Sequence, residues 1–284
     1  MNELERKIAN RIATDGPIPF SAFMEMALYD EAQGYYRGDP FGRQGDFYTA
    51  SQLQPVFGAY VATLASVLLP GFDHFIDIGA GRGELSESFT SDVYRAIEQG
   101  SPLPQTNRSI LFSNELIDAM PVDLIDEHDK LLRVAFDGDR FVWHPHPPRE
   151  GTLEVRHGVM RHLEEAYASI QEGSYILIDY GYRSGDRPRF PNGSLMSYRR
   201  HVASEDVLAS PGSRDITAHV NWDSLIDEAQ AVGWTVRSME SLRSSVMGLG
   251  PDVLEGLNLL GDMQLKALLF GMGESFEVLV LDKK

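Results

Sequence analysis

The 284-residue chain contains no cysteine, which excludes disulfides, thiolate metal sites and a cysteine nucleophile and suits a reducing compartment. Positive charge is scarce: 25 Lys and Arg stand against 42 Asp and Glu, a formal net charge of −17. Bulk binding to phosphate backbones or anionic membranes needs clustered Lys and Arg, so nucleic acid is not an expected partner. An acidic surface fits a cationic partner, such as an arginine-rich segment, and equally fits plain solubility. Long apolar runs are missing as well. The most apolar stretch, Ala59 to Leu69, is about half the roughly 20 residues that a membrane-spanning helix needs. The start, MNELERKIANRIATDG, has no apolar signal core. No G-x-S-x-G elbow and no Walker loop occurs. The expectation is a soluble, cytoplasmic protein without membrane insertion. Its 43% hydrophobic and 24% charged residues exclude a disordered chain and support one large domain, or one domain with a subdomain.

Along the chain, Phe20, Phe23, Met24, Ala27 and Leu28 fall at the spacing of one buried helical face, ended by Gly34. A glycine- and aromatic-rich loop follows to Ser51, then an apolar helix from Val56 to Leu69 closed by Pro70-Gly71. HFIDI at His74 to Ile78 reads as a buried strand, followed by a short helix from Gly83 to about Ser91. Tyr94 to Glu98 and SILFS at Ser109 to Ser113 are further strands, and Leu131 to Trp143 is a hairpin around Asp137-Gly138. A helix at Met160 to Ile170 leads to the strand YILID at Tyr175 to Asp179. A polar segment to about Ala218 is too long for an ordinary connection and reads as a lid or linker. The end of the chain reads as helix Trp222 to Val232, strand Trp234 to Met239, helix Val253 to Leu269 and strand Phe276 to Leu281. Alternating strands and helices predict an α/β layered domain with a mostly parallel sheet, in which ligands bind at the carboxyl ends of strands.

The segment Asp77-Ile78-Gly79-Ala80-Gly81-Arg82-Gly83 follows the first such strand. Glycines there let the chain turn sharply and let a ligand approach the backbone. A nicotinamide site would use G-x-G-x-x-G with a pyrophosphate at the helix N-terminus. Here the spacing is G-x-G-x-G with an acidic residue two before the first glycine, which resembles the first motif of class I S-adenosylmethionine (SAM) methyltransferases. Asp77 would favour a cationic cofactor and repel a pyrophosphate. A tight turn without ligand is the third reading. Glu98, about twenty residues after Gly79, could accept hydrogen bonds from both ribose hydroxyls or could be a surface glutamate of a helix.

Eight blocks, in order, resemble the MidA-like family of SAM-dependent methyltransferases: GPIPFSAFMEMALYDEAQGYY, FGRQGDFYTAS, FIDIGAGRGEL, SNELIDAMPV, ILIDYGY, GSLMSYRRH, DITAHVNW and MGESFEVLVL. That family includes a mitochondrial complex I assembly factor that methylates arginine. The resemblance implies a Rossmann-like class I methyltransferase sheet with an N-terminal helical and loop cap over residues 1–70. The methyltransferase domain would span 71–284, with a lid-like insertion at about 181–218. It implies that SAM is the cofactor, capped by Gly45, Asp46, Phe47 and Thr49, with Asn114, Glu115 and Asp118 towards the methyl group. Its implied partner is a protein with a target arginine, such as a respiratory complex I subunit homologue. One departure is that Glu84 to Asn114 is short for the family, which would trim the adenine edge of the pocket.

Glu115 and Asp118 are three apart and would share a face if their segment were helical, where a carboxylate pair could hold a guanidinium. They could equally be dipole-favoured acids at a helix start. His219 is a candidate base or substrate-orienting residue, or else a buried, hydrogen-bonded histidine. Asp179 and Tyr180 follow YILID and should line the same cleft. His144 and His146 lack the companions that a metal site needs, and Arg199-Arg200-His201 is too short for a nucleic-acid patch. Three functions stay open: protein arginine methylation, methylation of a small molecule, and a methyltransferase fold acting as an assembly or interaction factor.

Overall fold

A computed structural model describes residues 1–38, 53–200 and 202–284. In chain order the helices are α1 (Glu3–Asp15), α2 (Phe20–Tyr29), α3 (Val56–Leu68), α4 (Gly158–Ser169), α5 (Trp222–Val232), α6 (Leu242–Gly248), α7 (Pro251–Leu260) and α8 (Asp262–Lys266). The first eight strands are β1 (Ile18–Pro19), β2 (His74–Ile78), β3 (Tyr94–Ile97), β4 (Thr106–Asn114), β5 (Asp123–Ile125), β6 (Leu131–Phe136), β7 (Phe141–His144) and β8 (Leu153–Val155). The others are β9 (Ile170–Tyr182), β10 (Met196–Arg199), β11 (Val202–Ser204), β12 (Asp215–Thr217), β13 (Val220–Asn221), β14 (Thr235–Ser241) and β15 (Phe276–Lys283). Contacts divide the chain into two compact units that alternate along it. The first holds Met1–Tyr48, Asp118–Gly158 and Tyr182–His219, and the second holds Thr49–Ile117, Val159–Gly181 and Val220–Lys284. This division does not coincide with the expected boundary at residue 70, because α3 groups with the large sheet.

The second unit is built on the sheet β14-β15-β9-β4-β2-β3, with β13 also on β9. β3, β2, β4 and β9 run parallel, and β15 lies antiparallel between β9 and β14. The central strands β2, β4, β9 and β15 carry runs that are apolar on both faces because both faces are covered there. Phe75, Ile110, Phe112, Ile176, Ile178, Val278 and Val280 join one core with Phe57 and Val61 of α3, Val246 of α6 and Leu257 of α7. The alternate residues Ile76, Leu111, Tyr175, Leu177 and Leu279 are also fully buried and point the other way. There Trp234 meets the rings of Tyr167 and Tyr175 and donates from Nε1 to the Leu163 carbonyl at 3.2 Å. α5 has the ends its sequence prescribes: Asn221 accepts from the Ser224 N–H, and Gly233 closes it at φ +117°.

The first unit packs α1 and α2 on the sheet β1-β6-β5-β8, with β7 on β6. Leu4, Ile8, Phe20, Phe23 and Met24 share its core with Leu124, Leu132, Val134, Val207 and Ile216. The expected hairpin is β6–β7, its turn held by Asp137 Oδ1 accepting from the Asp139 and Arg140 N–H groups. The long polar segment carries the antiparallel sheet β11-β10-β12 and joins this core, which gives it structure of its own.

Three local expectations change. The helix expected over Gly83 to Ser91 is a five-residue 3₁₀ turn, Glu84–Ser88. The helix expected over Val253 to Leu269 breaks where the chain extends at Gly261, leaving α7, α8 and a π-helical turn at Ala267–Met272. α1 was not expected: its buried stripe is only Leu4, Ile8, Ala9 and Ile12, yet Asn2 and Glu5 cap it reciprocally. Among the described residues no helix is long and apolar enough to cross a membrane.

Candidate functional site

At the carboxyl end of β2 the chain turns through three left-handed glycines: Gly79 at φ +73°, Gly81 at +56° and Gly83 at +68°. Only glycine takes such angles without strain. At Gly79 space is short as well, since a Cβ would lie 2.8 Å from Leu116 Cδ1. The bend is tied to the sheet edge by the Gly79 N–H, which donates to the Ile97 carbonyl at 2.7 Å. Asp77, 4% exposed, accepts the Tyr94 hydroxyl at 2.6 Å on Oδ2. Burial pushes its pKa up to about 7; the Tyr94 bond opposes that shift and the Glu84 charge adds to it. Glu98 is exposed directly after β3, the sheet edge, and residues 98–105 form no helix.

The neighbouring parallel strand β4 ends at Asn114, and Glu115 then adopts φ +50°, rare for a residue with a side chain. Tertiary bonds impose this angle. The Glu115 N–H donates to the Ile178 carbonyl at 2.9 Å. Asp179, 1% exposed, accepts the Ile117 N–H on Oδ2 at 3.0 Å and the Tyr180 N–H on Oδ1 at 2.9 Å. The Asn114 amide donates to Glu115 Oε1 at 3.0 Å, which fixes the carboxylate. Residues 115–120 are turn and bend, not helix, so Glu115 and Asp118 do not form an i,i+3 pair on a helical face. The Glu115 and Ile117 N–H groups are thus taken by the Ile178 carbonyl and the Asp179 carboxylate, both of β9.

Asp118 and His219 belong to the first unit. Asp118 is 3% exposed, and its carbonyl accepts the Ala218 N–H at 3.0 Å. The Arg156 guanidinium joins the same two segments. It donates to the carbonyls of Ala218 at 2.6 Å, Met120 at 3.2 Å, Asp118 at 3.3 Å and His219 at 3.4 Å. The His219 N–H donates to Ser194 Oγ at 2.8 Å, and its ring lies 4.6 Å from Phe190. Burial, then the charges of Arg156 and Arg189, hold the His219 imidazole down at about pKa 4, so it is neutral at physiological pH. The Tyr36 hydroxyl donates to Asp215 Oδ1 at 2.9 Å. Burial and the nearby Asp215, Tyr29 and Asp118 hold that hydroxyl well above its usual range.

Gly45, Asp46, Phe47 and Thr49 lie outside the described residues. Arg156, Tyr94 and Asp215 were missed by sequence reasoning. No motif marks Arg156 or Asp215; Tyr94 could have been found from its place at the start of the strand beside β2. His146 Nε2 lies 3.2 Å from Asp126 Oδ2, and among the described residues no group of three or more His, Asp or Glu could hold a metal ion.

The residues present fit SAM. The left-handed bend leaves backbone open to a nucleoside, Asp77 suits a cation, and the short 3₁₀ turn after it offers no helix N-terminus to a pyrophosphate. Sheet and bend together define a class I SAM-dependent methyltransferase. The profile of a family described as "Putative S-adenosyl-L-methionine-dependent methyltransferase" matches residues 93–239. The mouse mitochondrial protein arginine methyltransferase NDUFAF7 is 31% identical, over 95% of this chain and 77% of the relative. Its zebrafish (Danio rerio) counterpart is 30% identical over 78% and 70%. A Burkholderia thailandensis protein described as a "likely methyl transferase", crystallised with S-adenosylhomocysteine, superposes with a TM-score of 0.87 at 25% identity, covering 99% of this chain and 92% of that one. The chain belongs to the MidA-like family of SAM-dependent methyltransferases. The cytoplasmic localisation expected from the sequence is overturned, because these curated relatives are described as mitochondrial.

Proposed function

We propose that the chain methylates the guanidinium of an arginine in a protein partner. The observation that carries this reading is Glu115: a carboxylate held in a left-handed backbone at the carboxyl end of a parallel strand, braced by Asn114 and, through the loop, by Asp179. Such strain is retained where the surrounding structure over-determines it for a purpose. The names of the curated relatives support an arginine acceptor, and a respiratory complex I subunit homologue is the candidate partner.

When bound, SAM supplies an electrophilic methyl group on a sulfonium. Asp77, once ionised, would hold the cationic amino-acid head; Gly79, Gly81 and Gly83 would let the nucleoside approach the chain; and Glu98 would accept from the ribose. Asn114 keeps Glu115 oriented, and the family resemblance assigns Gly45, Asp46, Phe47 and Thr49, which lie outside the described residues, to the cofactor. Glu115 would grip the guanidinium, balance its charge and accept the proton that the acceptor nitrogen gives up as it takes the methyl group. Asp118, in the first unit, is proposed as a further acid for the cationic acceptor. An imidazole with a pKa of about 4 is a weak base at neutral pH, so His219 orients substrate.

The test is methyl transfer from labelled SAM to an arginine-containing peptide and to the same peptide with lysine, read by mass spectrometry. The expected result is label on arginine alone, lost in Glu115→Gln. Label only in the small-molecule fraction of a lysate would overturn the arginine assignment.

A further inference from the structure

Among the described residues, large apolar side chains are exposed mainly in one region. Met247, Leu259, Leu260, Met263 and Phe270 are 51%, 81%, 50%, 78% and 63% exposed, and all lie between β14 and β15. α7 packs on α8, and the turn Ala267–Met272 packs on both α6 and α8, so the four elements form one layer. Its inner side is already used: Leu257, Leu265 and Leu268 are buried in the core. The exposed residues are therefore surplus to folding, and a concentration of them marks an interaction surface.

Charge decides what fits there. Along α7, Asp252, Glu255 and Leu259 stand at i, i+3 and i+7, an acidic and apolar stripe on one exposed face. Arg243 is paired with Glu274 at 2.8 Å and lies 5.1 Å from the Phe270 ring, and Lys266 is paired with Asp262 at 2.8 Å. Asp252 and Glu255 have no ion pair among the described residues and leave the layer net negative. A second copy would set these acids against themselves in a chain of net charge −17. An anionic membrane is disfavoured for the same reason.

We propose that the α6–α8 layer docks a polypeptide segment with leucine-like anchors flanked by Lys or Arg, a cationic amphipathic partner. The site is independent of the glycine bend and does not rest on the arginine reading. The probe is a synthetic amphipathic peptide with leucines at helical spacing and lysines between them, labelled for anisotropy, with a glutamate-for-lysine version as control. The full chain binds the cationic peptide and not the control, and added salt weakens the binding. The double variant Leu259→Gln, Met263→Gln weakens it at least about tenfold. Asp252→Asn with Glu255→Gln weakens it and flattens the salt dependence. Val202→Gln, at a 64% exposed apolar residue of the first unit, leaves it unchanged. All these positions are exposed, and each variant is checked for unchanged melting and SAM binding. Equal binding by the Leu259, Met263 double variant overturns the proposal, as does equal loss in Val202→Gln. So does a wild type that sediments as a dimer which the double variant dissociates, because the occupant would then be a second copy.

Discussion

The Tyr94 hydroxyl donates to Asp77 Oδ2 at 2.6 Å, from the edge strand to the end of the strand that carries the glycine bend. That bond favours the ionised carboxylate, while burial resists it and leaves the pKa at about 7. A cationic cofactor binds the ionised form. SAM affinity therefore rises with pH towards 7 by up to about tenfold per unit and levels off above it, and below 7 binding releases a proton. Tyr94→Phe removes the bond that lowers the pKa, so the midpoint moves up. Asp77→Asn abolishes the dependence. Calorimetry in buffers of different ionisation enthalpy measures both the affinity and the proton.

The same carboxyl works against stability. Its folded pKa is raised from 3.8 to about 7, so the folded state prefers the protonated form. That stabilisation is present in full below about pH 3.8 and is lost as pH rises through 7. Asp77→Asn therefore raises the melting temperature at pH 8, by roughly 2–4 °C for each kcal/mol recovered, while it weakens SAM binding. A lower melting temperature at pH 8 would refute the assigned cost.

Gly79 and Gly83 share a left-handed backbone and differ in surroundings. Gly83→Ala meets only the Tyr94 hydroxyl at 3.6 Å and costs the backbone strain, about 1–2 kcal/mol. Gly79→Ala adds the overlap with Leu116 at 2.8 Å, a further cost of about 1–3 kcal/mol, and displaces the bend. SAM binding should vanish in Gly79→Ala and only weaken in Gly83→Ala. Adding Leu116→Ala to Gly79→Ala should restore part of the stability in denaturant melts.

The glycine bend could be read from sequence because a positive φ without penalty needs glycine, so Gly79, Gly81 and Gly83 announce the backbone. The strands were legible because both sheet faces are buried, which leaves apolar runs such as HFIDI and YILID. Glu115 adopts a left-handed angle that nothing in its residue type reveals; the angle is imposed by Ile178 and Asp179, more than sixty residues away in the chain. In NELIDAM, Glu115 and Asp118 have the spacing of one helical face, but the Glu115 and Ile117 N–H groups bond to β9 and the segment is turn and bend. Arg156 was invisible for a similar reason: its partners are backbone carbonyls, which leave no pattern in sequence.

Glu115→Gly should separate stability from activity. It relieves the φ +50° strain and raises stability by about 1 kcal/mol, while methyl transfer is lost with the carboxylate. Asp179→Asn behaves oppositely. One of its two accepting oxygens becomes a donor facing a backbone N–H, which costs about 1–3 kcal/mol and loosens residues 115–117. Transfer to peptide falls in Asp179→Asn, and SAM affinity changes little. Matched denaturant melts and kinetics on the two variants would show the opposite signs.

Arg156 lowers the His219 pKa and ties residues 118–120 to 218–219 with donors to four carbonyls. Arg156→Met leaves those carbonyls without the guanidinium and removes the positive charge facing the imidazole. The His219 pKa should rise from about 4 towards, but short of, its ordinary 6.5, because burial still holds it down. NMR titration of the ring protons reads this directly. Arg156→Lys keeps the charge but not the fork, so it should destabilise the first unit by about 2 kcal/mol while leaving the His219 pKa low. An unmoved His219 titration in Arg156→Met would show that burial alone sets the imidazole, and it would remove Arg156 from any part in keeping that ring neutral.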